Sequence, residues 1–143
     1  MNLLEFKNTL LKYIKDNYPN YVTELKFDKI PVYTTSFLDF DKYKDSFTIF
    51  FDFDRIRINQ SDDCGDIQEI TFSLFIVLRN KETEKLQNDL LLASEGMYKT
   101  LKNINQTNLS HRVNVNDISF YNYAEGTNNI VISHINFNIL VEL

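Results

Sequence analysis

Cysteine is all but missing from this 143-residue chain: Cys64 stands alone, so neither an intramolecular disulfide nor a multi-cysteine zinc site can form. Glycine and proline are scarce, at 3 and 2 residues, which excludes collagen-like and low-complexity chains and leaves no material for a phosphate-cradling loop. The only histidines, His111 and His134, lie on separate stretches, without the close His–Glu spacing of zinc hydrolases. No apolar run approaches the roughly 20 residues of a membrane-spanning helix. No basic run occurs either, and a formal net charge of −5 opposes sequence-independent binding to nucleic acid or an acidic membrane. The opening Met1–Lys7 lacks the basic start and unbroken apolar stretch of a secretory signal, which predicts cytoplasmic synthesis. In that compartment the sequons at Asn59, Asn105 and Asn108 carry no meaning.

What the chain does have is ordinary globular stock, 43% hydrophobic and 24% charged, with one excess: 12 Phe and 8 Tyr bring the aromatic share to 14%. Large rings favour strands and broad contact surfaces. The length predicts one domain over residues 1–143, able to bury about 68–70% of its unfolded surface. The negative charge is not spread evenly. Between Asp39 and Glu69 stand nine acids and four bases, and elsewhere acids and bases balance.

Periodicity supplies the elements. Leu3, Phe6, Leu10, Tyr13 and Ile14 form an apolar stripe at helical spacing, ending at Asn17 or Tyr18 because Pro19 disfavours helical geometry before it. Short β-rich pieces from Tyr21 to Thr35 flank Pro31, an edge or a break. Phe47, Ile49, Phe51 and Phe53 alternate on one face, then Ile56 and Ile58 resume on the opposite parity; a bulge near Asp54 or Arg55 restores the phase. A polar turn over Ser61–Asp66 leads to Ile70, Phe72, Leu74, Ile76 and Leu78, completing a long β-hairpin. A strand from Phe47 to Ile58 spans about 40 Å, against a domain diameter of about 37 Å. The hairpin must cross the whole domain or project from it. Lys81–Lys102 reads as a second helix through Leu86, Leu90, Ala93, Met97 and Leu101. A linker from Asn103 to His111 leads to two closing strands joined near Glu125–Asn129, the last with Val131, Ile135, Phe137, Ile139 and Val141 on one face. The predicted class is α+β: a single mostly antiparallel or mixed sheet with two helices, in the order α-β-β-β-β-α-β-β.

Catalytic readings fare poorly. Asp52 and Asp54 are hard-oxygen ligands two apart on a strand, but the bulge disturbs their alignment, and alternating acids among Phe residues read better as a wet strand face. With Gly65 placed as the sixth residue of an EF-hand loop, Gln60 and Thr71 fall where carboxylates are required. Cys64 has no activating base or helix amino end nearby in sequence. His134 reads as hydrogen-bonded or facing solvent on its strand. The run Phe50–Phe53 lacks the positive charge that accompanies base-stacking platforms. The expectation is therefore no enzyme, no metal and no cofactor.

The order and size of these elements, an amphipathic helix, a long central hairpin, a second long helix and a closing hairpin, resemble the tail terminator (tail completion, head–tail joining) proteins of long-tailed bacteriophages and prophages. The resemblance covers essentially the full chain and rests on element order, without a diagnostic motif. It implies a homo-oligomer, a hexameric ring that caps the tail tube, stops its polymerisation and offers a surface to the head connector. It would be made in the bacterial cytoplasm and carried in the particle's tail. DNA would pass through the ring without specific binding, which suits an acidic middle segment. The residues expected to face partners are the projecting charges of the hairpin and its tip: Asp52, Asp54, Arg55, Arg57, Asp62, Asp63 and Asp66. A hairpin apolar on both faces also calls for cover beyond one small chain. The rival reading is a monomeric or dimeric small-ligand-binding or enzymatic α+β domain whose aromatic face lines a pocket.

Overall fold

A computed structural model of the protein describes residues 2–23, 30–35, 37–42, 44–61, 65–80, 83–106, 112–125 and 128–142. Five strands form one mixed sheet: β1 (Val32–Thr34), β2 (Phe47–Ser61), β3 (Gly65–Asn80), β4 (Arg112–Glu125) and β5 (Asn128–Glu142), in spatial order β1-β2-β3-β5-β4. Only the β1–β2 pair is parallel. The helices are α1 (Leu3–Asn17), a single turn α2 (Pro19–Val22) and α3 (Thr83–Lys102). Three strands precede α3 among the described residues, where the sequence pattern led to four. Tyr21 and Val22, expected as extended, belong to α2.

Local chemistry explains the ends of α1. The Asn2 side chain accepts from the Glu5 backbone N–H at 2.9 Å, and Glu5 Oε2 accepts from the Asn2 N–H at 3.2 Å, a reciprocal cap. At the other end Pro19 removes the N–H that would continue the ladder and starts α2 instead. Tyr18 keeps helical dihedrals despite the following proline, because its buried hydroxyl donates to Ala93 O on α3 at 3.0 Å. Tyr13 donates likewise to Thr100 O at 3.0 Å, so α1 and α3 run antiparallel.

Both long helices cover one face of the sheet. Its alternating residues, Phe47, Ile49 and Phe51 on β2, Ile70 to Leu78 on β3, and Val131, Ile135, Phe137, Ile139 and Val141 on β5, are all buried. The aromatic excess is spent here: Phe72 stacks between Phe51 at 5.1 Å and Phe137 at 5.3 Å, with Phe53 at 4.5 Å and Phe6 of α1 at 6.2 Å. The opposite face is covered only in part. A 3-10 turn over Phe37–Lys42 lays Phe40 against Phe50 at 6.1 Å, with Arg79 over the Phe40 ring at 4.9 Å. Beneath it lie Phe50, Val77, Ile130 and Ile132, all buried.

The chain therefore covers much of its own hairpin on both faces, where the sequence pattern called for cover beyond one small chain. Nor does the hairpin project as a free ribbon: β3 is paired with β5 from Ile67 to Asn80, so the hairpin crosses the domain inside the sheet. The cover stops short at one end. β2 has 15 residues, about 50 Å of strand, whereas α1 with 15 residues spans about 22 Å. Past the end of the helix, Ile56 is 38% and Ile58 57% exposed.

Candidate assembly interface

The predicted bulge falls between Phe53 and Arg55, where the β2–β3 register shifts by one residue. It places Phe51, Phe53, Ile56 and Ile58 all on the helix-covered face. Asp52 and Arg57 lie opposite Ser73 and Glu69 on the other face, and Arg55 opposite Thr71. Asp54, the extra residue, turns its side chain to that same face, where Oδ2 accepts from Ser73 Oγ at 2.5 Å and from Asn136 Nδ2 at 3.0 Å. Two acids and two bases, Asp52, Asp54, Arg55 and Arg57, thus share one face of one strand.

Of the expected partner-facing residues, the structure gathers these four, and Arg55 and Arg57 are exposed. Asp54 is exposed as well, with its carboxylate tied across two strands to Ser73 and Asn136. Asp66 belongs to β3, opposite Gln60. Asp62 and Asp63 lie outside the described residues, as do Cys64 and His111.

The polar face continues from Asp54. His134 Nε2 lies 2.7 Å from Ser73 Oγ, and the His134 ring stacks on Phe75 with centroids 4.4 Å apart. A serine hydroxyl has one proton. Given to Asp54, it leaves Ser73 Oγ to accept from a protonated Nε2. This inverts the nucleophilic arrangement, in which an imidazole takes the serine proton and a carboxylate orients the imidazole. Ser73, 3% exposed, acts as a tether. Beyond it Asn116 donates to Asn136 Oδ1 at 2.8 Å and to Asn138 Oδ1 at 3.0 Å, Thr71 donates to Asn138 Oδ1 at 2.9 Å, and Asn138 donates to Glu69 Oε1 at 3.1 Å. These hydrogen bonds cross β2, β3, β5 and β4 and stiffen the sheet face opposite α1 and α3. The alternation that sets Val131, Ile135, Phe137 and Ile139 on one face leaves His134, Asn136 and Asn138 on the other, and it is the one signal of this network in the sequence. Among the described residues no three His, Cys, Asp or Glu side chains converge to hold a metal ion.

The two sheet edges differ in chemistry. On the β2 side β1 pairs only with Thr48–Phe50, and past Phe50 no described strand lies along the outer edge of β2. Near this edge stand Ile56, Ile58 and, on α1, Leu3 at 38% and Leu4 at 65% exposure. On the opposite side β4 is the outermost strand, with Phe120 and Tyr121 about half exposed. Phe120 pairs with Ser133, whose Oγ accepts from Ser94 of α3 at 2.7 Å; Leu91, one turn earlier on α3, is exposed as well. No helix is long and apolar enough to cross a membrane among the described residues. No protein-family model and no curated protein matches the sequence.

Proposed function

We propose that this chain is a non-catalytic structural subunit of a phage-like tail, assembling as a homo-oligomeric ring that caps the tail tube, halts its growth and joins it to the head connector. The observation that carries the reading is the pair of unlike edges. A closed ring needs a head-to-tail contact between two different patches on opposite sides of one subunit. Exposed apolar residues stand at both flanks of this sheet: Leu3, Leu4, Ile56 and Ile58 on one, Leu91, Phe120 and Tyr121 on the other. Scattered singly, exposed apolar residues need no explanation; grouped at an edge, they mark contact surfaces. The resemblance in element order adds the choice of ring and site of action. The acidic segment from Asp39 to Glu69 suits a lumen through which DNA slides without adsorbing.

Electron microscopy of particles from cells with and without the gene tests this. Loss of the protein gives overlong tubes lacking heads, and its return restores uniform length. Tails of normal length and normal head joining without the protein would reject the reading.

A further inference from the structure

We propose that two copies of this chain pair through the outer edges of their β2 strands, antiparallel about a twofold axis at the bulge, with Asp52 of each opposite Arg57 of the other. The strand reads Phe51-Asp52-Phe53-Asp54-Arg55-Ile56-Arg57-Ile58, which is a charge palindrome. Set antiparallel against itself, it brings Asp52 opposite Arg57 and Asp54 opposite Arg55. The same register sets Phe53 opposite Ile56 and Phe51 opposite Ile58.

The bulge makes this register structurally sound. In a regular antiparallel pair, opposed residues alternate between hydrogen-bonded and non-bonded sites, so a twofold axis can only pass through an opposed pair. An axis between two successive residues would superpose unlike sites. Here Asp54 is the extra residue and shares a face with Arg55, so the two together count as one position of the pleat. Counted that way, residues 53 and 56, 52 and 57, and 51 and 58 stand symmetrically about the bulge. Each opposed pair then lies on one face: apolar with apolar under the helices, acid with base on the open face. Shifting the register by one residue sets Asp52 or Arg57 opposite an apolar side chain of the other face.

The available edge fits too. β1 occupies the outer side of β2 only along Thr48–Phe50, and the palindrome begins at the next residue. Past Ile58 the second copy's strand parts from β2, because β1 takes the outer side there. On the helix side the pairing surrounds Ile56 and Ile58, 38% and 57% exposed in the single chain. Leu4 at 65% exposure joins them: it lies one turn before Lys7, whose ammonium sits 5.8 Å over the Phe53 ring, so this flank of α1 faces the β2 edge.

The pairing goes beyond the ring reading and competes with it for one edge. A head-to-tail ring needs β2 free or joined to a different patch, so the twofold pair would hold the chain out of the ring until the tail displaces it.

Sedimentation equilibrium of the full chain and three variants tests the pairing. The wild type should weigh as a dimer of 16.9 kDa chains at micromolar concentration. D52R and R57D alone each turn two attractive pairs into two repulsive ones and should weaken the dimer about tenfold or more. Mixed in equal amounts, the two variants restore both pairs in a heterodimer, as does the D52R/R57D double variant in a homodimer. Recovery by mixing also shows that each variant is folded. A wild type that stays monomeric at every concentration overturns the pairing, as does any assembly indifferent to the swaps or not rescued by the mixture. None of these results alters tail length, on which the ring reading is judged separately.

Discussion

Asp54 Oδ2 and Ser73 Oγ are joined by a 2.5 Å hydrogen bond that anchors the β2 bulge to the centre of the sheet. Asn136 adds a second donor from β5 at 3.0 Å. Together they fix the one irregular position in β2, and with it the facing of Arg55, Ile56, Arg57 and Ile58.

Replacing Ser73 by Ala removes a hydrogen bond from a buried hydroxyl to the exposed Asp54 carboxylate, a loss of about 1 kcal/mol. Asp54→Ala should cost a similar amount, and the double variant clearly less than the sum, because both changes break one interaction. Urea denaturation of the four proteins reads this directly. Strict additivity would show that the tether contributes nothing.

Gly96 sits where α3 meets α2. A methyl added there would lie 2.9 Å from Tyr21 Cβ, too close for either atom to hold its place. Gly96→Ala should therefore destabilise by on the order of 1–3 kcal/mol, despite the better helix propensity of alanine. A rise in the denaturation midpoint would contradict the close approach of the two helices.

Two tyrosines with buried hydroxyls should respond oppositely to loss of those hydroxyls. Tyr18 donates to Ala93 O, so Tyr18→Phe leaves that carbonyl short of a donor and costs about 1 kcal/mol. The Tyr33 hydroxyl is buried without a hydrogen-bond partner among the described residues, and desolvation pushes its pKa up to about 12. Tyr33→Phe should leave stability unchanged or raise it. Thermal melts of the two variants side by side check the contrast.

Much of the fold was legible in the sequence because burial here is one-sided and periodic. The stripe Phe6, Leu10, Ile14 and the alternations Ile70 to Leu78 and Ile135 to Val141 each mark one buried face, and every one of those residues is buried. The bulge was legible from the phase slip between Phe53 and Ile56. Illegible were features set by distant contacts. Tyr18 stays helical before a proline because of a hydroxyl bond to α3 75 residues away. Phe50 and Val77 are buried on the face away from the helices because Phe40 folds over them. The tie of the Asp54 carboxylate depends on Ser73 and Asn136, separated from it by 19 and 82 residues.

Asp89, on the buried side of α3, has its carboxyl pKa raised above the ordinary 3.8, first by desolvation, with Lys85 opposing. A carboxylate whose folded pKa is raised costs stability above that ordinary value and ceases to do so as pH falls below it. Asp89→Asn should accordingly be more stable than the wild type at pH 7. The gain should narrow near pH 3, where the Asp89 carboxyl is protonated in both the folded and the unfolded chain. Denaturation midpoints at the two pH values decide it; an equal gain at both would rule out a titration origin.

The open stretch of β2 is the feature on which the twofold pairing depends, and amide hydrogen exchange reads it residue by residue. In Phe51–Ile58, amides pointing toward β3 are protected by the hairpin itself, whereas those pointing outward gain protection only from another strand. The account predicts slow exchange of the outward set in concentrated protein and its loss on dilution, with the inward set unchanged. Outward amides that exchange freely at every concentration would contradict it.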